Sequence, residues 1–166
     1  SFYRAINTVK PSLIRVEADE ITYNLHILLR FELEVALLEG TLKVADLPEA
    51  WNAKMQEYFG LTPPNDTEGV LQDIHWSGAM FGYFPTYTLG NVLSVQFFNH
   101  AVAQHPQIID EMARGEFGTL LGWLRTNIHQ HGRKFLPSEL VKRVTGRPVD
   151  AAPYVEYLKT KFGELY

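Results

Sequence analysis

Leu13-Ile-Arg-Val-Glu-Ala-Asp-Glu-Ile-Thr-Tyr-Asn-Leu-His-Ile-Leu-Leu-Arg-Phe-Glu-Leu-Glu-Val-Ala-Leu-Leu-Glu39 reads as one long helix. Ile14, Ala18, Ile21, Leu25, Leu28, Leu29, Leu33, Ala36 and Leu37 recur at spacings of three and four, which puts an apolar stripe along one helix face. Gly40 follows as a C-terminal cap. Tyr23, Ile27, Phe31, Val35 and Leu38 carry the apolar surface further round, as in a central, buried helix. The same run holds Arg15, Glu17, Asp19, Glu20, His26 and Arg30. In a continuous helix Arg15 and Asp19 share a face, and His26 and Arg30 repeat that relation. Such pairs contribute little on a solvated face, but this helix leaves little polar surface for water.

Outward from this run, the pattern stays helical. Ser1–Pro11 has too few apolar residues for an independent helix and reads as the tail of something earlier. Asp46-Leu-Pro-Glu49 carries an N-cap, a first-turn proline and a capping glutamate, predicting a helix through Trp51, Met55 and Tyr58 to Gly60. Leu61–Thr67 is a loop. Later helices are predicted at about Pro85–Ala103, from Pro106 through Met112, and at about Glu116–Ile128. Two more follow, one capped by Ser138 and stopping at Gly146, the other capped by Asp150 and running through Phe162. No strand alternation appears. The expected fold is all-α, with seven or so helices in a single segment, 1–166, that has no internal boundary.

The 166 residues, 46% hydrophobic and 20% charged, suffice for a core and argue against disorder. A net charge of −4 without a basic stripe argues against nucleic acid as the main partner. No run is apolar enough to span a bilayer and no signal peptide is visible. The lack of cysteine excludes disulfides and thiolate metal sites and fits a cytoplasmic protein. The chain does not begin with Met, so a cut or incomplete protein is an expectation to carry forward.

The densest run of functional groups is Gly69-Val-Leu-Gln-Asp-Ile-His-Trp76, followed by Ser77–Tyr87. It holds Gln72, Asp73, His75 and Trp76, then Tyr83 and Tyr87 after Gly78 and Gly82. The expected shape is a short helix carrying His75, a glycine-hinged loop, and a helix with Pro85 and Tyr87 in its first turn. Imidazole and phenol both donate hydrogen bonds, and two converging donors suit a developing oxyanion. The plain alternative is a helical hairpin whose aromatics are core. Six histidines invite a metal, but His129-Gln-His131 points its rings to different faces of a helix, and HExxH is absent. No Gly-x-Ser-x-Gly elbow or cysteine offers a covalent nucleophile.

Two segments carry a resemblance. Ile14-Arg-Val-Glu-Ala-Asp19 matches the Ile/Val-Arg-x-x-Ala-Asp motif of thermostable metallocarboxypeptidases of the Taq carboxypeptidase type. Gly69–Trp76 matches their Gly-x-x-Gln-Asp-x-His-Trp motif in full. The chain resembles the C-terminal part of such an enzyme, a portion of a larger all-helical, zincin-like catalytic domain. The resemblance implies release of single amino acids from peptide C-termini, zinc or another divalent metal, and frequent homodimers. The family's HExxH and its third-ligand glutamate have no counterpart here, so the metal ligands are expected outside this chain, in a missing N-terminal part. No metal is expected in this chain, which should be inactive alone. The resemblance makes Arg15 a candidate clamp for the substrate carboxylate, with a structural pair to Asp19 as its alternative. It makes His75 and Tyr87 the oxyanion donors, and Tyr83 a substrate-orienting residue. Gln72, Asp73 and Asp19 become supporting residues, Asp73 as holder of an imidazole. The alternative function is a metal-free helical module that binds a peptide end without cutting it.

Overall fold

The computed structural model describes residues 1–166. It contains eight α-helices: α1 (Phe2–Ile6), α2 (Tyr23–Leu38), α3 (Leu47–Phe59), α4 (Pro85–Gln104), α5 (Ile108–Ala113), α6 (Gly118–Asn127), α7 (Pro137–Thr145) and α8 (Ala152–Gly163), with three short 3-10 turns and no strand. The all-α expectation holds, and the bounds of α3 and α4 fall within a residue or so of those predicted.

The long helix predicted from Leu13 is broken. Arg15–Glu17 form a single 3-10 turn, Ala18 is extended, and the α-helix starts only at Tyr23. The cause is Asp19. Its carboxylate accepts the backbone N–H of Ile21 and Thr22 (3.0 and 2.9 Å) and of Lys10 (2.9 Å), together with the Thr22 hydroxyl. A short acidic side chain thus takes over backbone donors that a continuous helix would use, and the helix begins after it. Arg15 and Asp19 therefore do not share a helix face. Three smaller corrections concern helix starts. Ser1–Pro11 does hold a helix, the five-residue α1, where Ser1 Oγ accepts from Arg4 N–H. Helix α7 starts at Pro137 rather than behind a Ser138 cap. Asp150 accepts from the N–H of Ala152 (2.9 Å), although Ala151 is the cap position of α8.

The chain packs as two compact units, Ser1–Leu89 and Gly90–Tyr166. In the first, Leu47, Trp51, Met55 and Phe59 recur every fourth residue along α3 and pack with Leu29 and Leu33 of α2 and with Val70. Burying each large side chain stabilises by roughly 1.5–3 kcal/mol. In the second, Ala101, Ile108 and Trp123 form the core, joined by Phe97, Leu120, Leu124 and Val144.

Helix α2 has a second row. His26, Arg30 and Glu34 are also four apart, and they are 0%, 0% and 2% exposed. This polar row is as buried as the apolar one; Arg30 and Glu34 reach the segment that carries the candidate site, while the His26 ring packs on Phe59 of α3.

Candidate functional site

Residues 69–84 form overlapping turns, and the short helix expected around His75 is absent. The backbone is satisfied by turn hydrogen bonds instead, including Leu71 N–H to Asp66 O (2.8 Å) and Met80 N–H to His75 O (2.8 Å). Ala79 and Gly82 sit at positive φ (57° and 76°), a conformation a helix does not tolerate. Pro85 starts α4 as predicted, with Tyr87 in the first turn and Tyr83 before it.

Gln72 ties this segment to the Arg15 turn. Its side-chain oxygen accepts Arg15 N–H (3.1 Å), and its amide donates to Leu13 O (3.0 Å). Asp73 completes the tie. One oxygen accepts from Arg15 Nη2 (2.7 Å) and Nε (3.3 Å). The other accepts from Arg30 Nε (2.7 Å), with Arg30 Nη2 at 2.6 Å. Arg15 Nη1 donates to the Tyr23 hydroxyl (3.1 Å), and Arg30 Nη1 donates to His26 O (2.7 Å). Burial pushes the Asp73 carboxyl up, but the hydrogen bonds and charges of the two arginines outweigh it and hold it below the usual range. Burial lowers Arg30 to about 10, opposed by Asp73, so it stays protonated near neutrality. For Arg15 burial also lowers, yet Asp73 and Tyr23 win and the net shift is upward.

His75 is buried against Phe84, with ring centroids 4.3 Å apart. Its Nε2 lies 3.0 Å from the Tyr87 hydroxyl, so the two expected donors meet. Its Nδ1 is 3.8 Å from Asp73, beyond hydrogen-bond range, and has no partner. Asp73 therefore holds guanidiniums rather than the expected imidazole. Burial pushes the Tyr87 phenol up, opposed by Arg15, which keeps it a donor through neutral pH. Tyr83 is 46% exposed and packs edge-on against Tyr87 at 5.4 Å. Asp19 lies in the turn before α2 and serves the backbone there, apart from this group.

The sequence reading missed four residues. Arg30 was paired with His26 alone, without Asp73. Tyr23 counts in the sequence only as apolar surface of the helix, and Phe84 is not singled out at all. Phe84 lies beneath both guanidiniums, 5.8 Å from that of Arg15 and 5.4 Å from that of Arg30, at cation–π distance. Glu34 was not singled out, although it accepts from Trp76 Nε1 (2.8 Å) and from Gly82 N–H (3.2 Å). The legible signal was the four-residue repeat His26–Arg30–Glu34 inside an apolar helix.

No three histidine, aspartate or glutamate side chains converge into a group able to hold a metal ion. The residues present thus do not fit a resident metal centre. No helix is long and apolar enough to cross a membrane.

Comparison with known proteins gives one consistent answer. A family model described as Carboxypeptidase Taq (M32) metallopeptidase matches residues 1–162. Thermostable carboxypeptidase 1 of Thermus thermophilus is 53% identical over 165 residues, covering 99% of this chain and 32% of the relative. Carboxypeptidase 1 of Bacillus subtilis is 44% identical, covering 99% and 33%. Among solved structures, the M32 carboxypeptidase of Deinococcus radiodurans superimposes with a TM-score of 0.96 at 51% identity, again over 99% of this chain and 33% of that one. The chain spans about a third of the length of these relatives.

Proposed function

Since the chain belongs to the Carboxypeptidase Taq (M32) metallopeptidase family, we propose that it forms the substrate-facing C-terminal portion of a metallocarboxypeptidase that releases single amino acids from peptide C-termini. The observation that carries this reading is the 3.0 Å approach of His75 Nε2 and the Tyr87 hydroxyl. In the free protein the pair spends one hydrogen on itself. A carbonyl oxygen entering between them would take an N–H and an O–H together, and that pairing strengthens as negative charge develops on the oxygen. Arg15 is the clamp for the terminal carboxylate. Of its five N–H bonds, Asp73 engages two and Tyr23 one, which leaves two on a guanidinium already locked in place. Tyr83, exposed beside the pair, orients the substrate.

The divalent metal, zinc by family resemblance, would be held by residues outside this chain. Residues 1–166 then belong to one catalytic domain completed by the rest of the enzyme. The same resemblance supports homo-oligomers. The chain alone should show no peptidase activity.

The test compares matched peptides with free and amidated C-termini, using the full-length enzyme. Free-acid peptides should be cut and amidated ones should be poor substrates. Arg15→Ala should raise KM by at least about tenfold for free-acid peptides, the loss of one charge-assisted contact of about 1.5 kcal/mol or more. Equal cleavage of both peptide types would remove the clamp role.

A further inference from the structure

One buried carboxylate has no part in the chemistry above, yet it touches the segment that carries it at two places. Glu34 projects from the middle of α2, one turn beyond Arg30, and is 2% exposed. Its two oxygens are used separately. One accepts from the indole N–H of Trp76, the residue after His75, and the other accepts from the backbone N–H of Gly82, the residue before Tyr83. Between these points Ser77–Phe81 are exposed and lie in turns. Phe81 adds only a stacked contact on Trp76, at 6.1 Å and 15°. A side chain on a packed helix therefore closes this loop at both ends.

We infer that Glu34 is a positioning residue for the reaction, fixing His75 and Tyr83 relative to Tyr87 through Trp76 and Gly82. The inference rests on the oxyanion role given to His75 and Tyr87. The chemistry demands a carboxylate. Both partners are N–H donors, and only a group with two acceptor oxygens meets both with charge-assisted bonds. Glutamine has the same shape but turns an NH2 toward one of the two donors whichever way it flips.

The decisive variant is Glu34→Gln in the full-length enzyme, with Tyr87→Phe run beside it. We expect kcat to fall by about 100-fold, the cost of roughly 1 Å of misplacement, with KM within about twofold. Amide hydrogen exchange should rise in residues 76–83 and stay unchanged in α3. Unchanged kcat per folded molecule overturns the inference, and so does a uniform rise in exchange across the protein, which would mark a merely structural role. If Glu34→Gln does not fold, Trp76→Phe removes one of the two donors and keeps a ring. It should lower kcat by about tenfold, and no change there is equally fatal. If Tyr87→Phe is silent, the oxyanion reading has failed. Local exchange in Glu34→Gln then decides separately whether Glu34 holds the loop, and protection equal to wild type overturns that claim.

Discussion

Unit Ser1–Leu89 buries Arg15, Thr22, His26, Arg30, Glu34 and His75, while unit Gly90–Tyr166 buries Gln96 alone among its polar side chains. Gln96 is fully used. Its amide donates to Pro148 O (2.8 Å) and Thr145 Oγ1 (3.3 Å), and its oxygen accepts from Asp150 N–H (3.2 Å). It stitches α4 to the turn before α8. In the first unit the polar groups include two arginines and a glutamate, are clustered, and are in part unmet, since both ring nitrogens of His26 and Nδ1 of His75 lack partners. Unmet buried polar atoms cost roughly 1–3 kcal/mol each. A unit selected only for stability would not collect them, and the second unit does not. The difference favours placing the proposed site in the first unit, on grounds separate from the motifs.

The contrast breaks most readily at Asp73. Replacing it with Ala in the full-length enzyme leaves two buried arginines facing each other. Unfolding by urea should show a loss of about 3–5 kcal/mol. A loss below about 1 kcal/mol would mean the arginines are effectively solvated, and the first unit would then be no different from the second.

Tyr87→Phe sharpens the contrast from the side of chemistry. Only the hydroxyl leaves, so folding should persist while turnover drops about 100- to 1000-fold, or roughly 3–4 kcal/mol, with little change in KM. Tyr83→Phe should cost less. The opposite ranking would exchange the roles of the two tyrosines.

His26 gives the contrast a pH signature. Burial first, then the charges of Arg30 and Arg15, lower its pKa from 6.5 to about 4. The unfolded chain therefore binds this proton more readily than the folded one. Stability is intact above about 6.5 and falls as pH drops toward 4, by about 3 kcal/mol at 1.36 kcal/mol per unit. His26→Leu should flatten that acid limb in pH-dependent unfolding. An unchanged limb would show that His26 takes up its proton in the folded state near its ordinary pKa.

The smallest effect belongs to the second unit. Gln96→Ala should cost about 1–3 kcal/mol in unfolding free energy and leave kcat per folded molecule unchanged. A large loss of turnover would carry function across the boundary and dissolve the comparison.

Much of the helical fold was legible because helix formation answers to near neighbours. The four-residue spacing of Leu47, Trp51, Met55 and Phe59, the proline in the first turn and Gly60 at φ 68° delimit α3 without reference to the rest of the chain. The meeting of His75 and Tyr87 was also legible, from two glycines and a proline between them. The break at Ala18 was not. A helix and an Asp19-capped turn both satisfy local preference there, and the choice falls to a turn that also takes up the N–H of Lys10.

The sequence by itself determined the helical class, the bounds of α3 and α4, and the family, through two motifs whose residues stand in fixed order. Only the tertiary structure decided the partners of the buried charges. Arg15 has a carboxylate four residues away and pairs with one fifty-eight residues away. A desolvated guanidinium binds the acceptor that packing brings to it, and sequence spacing measures that only along a continuous helix. The same holds for Glu34, whose partners lie forty-two and forty-eight residues on. Its place in the row of α2 is written in the sequence, but what that row faces is fixed by the folded chain.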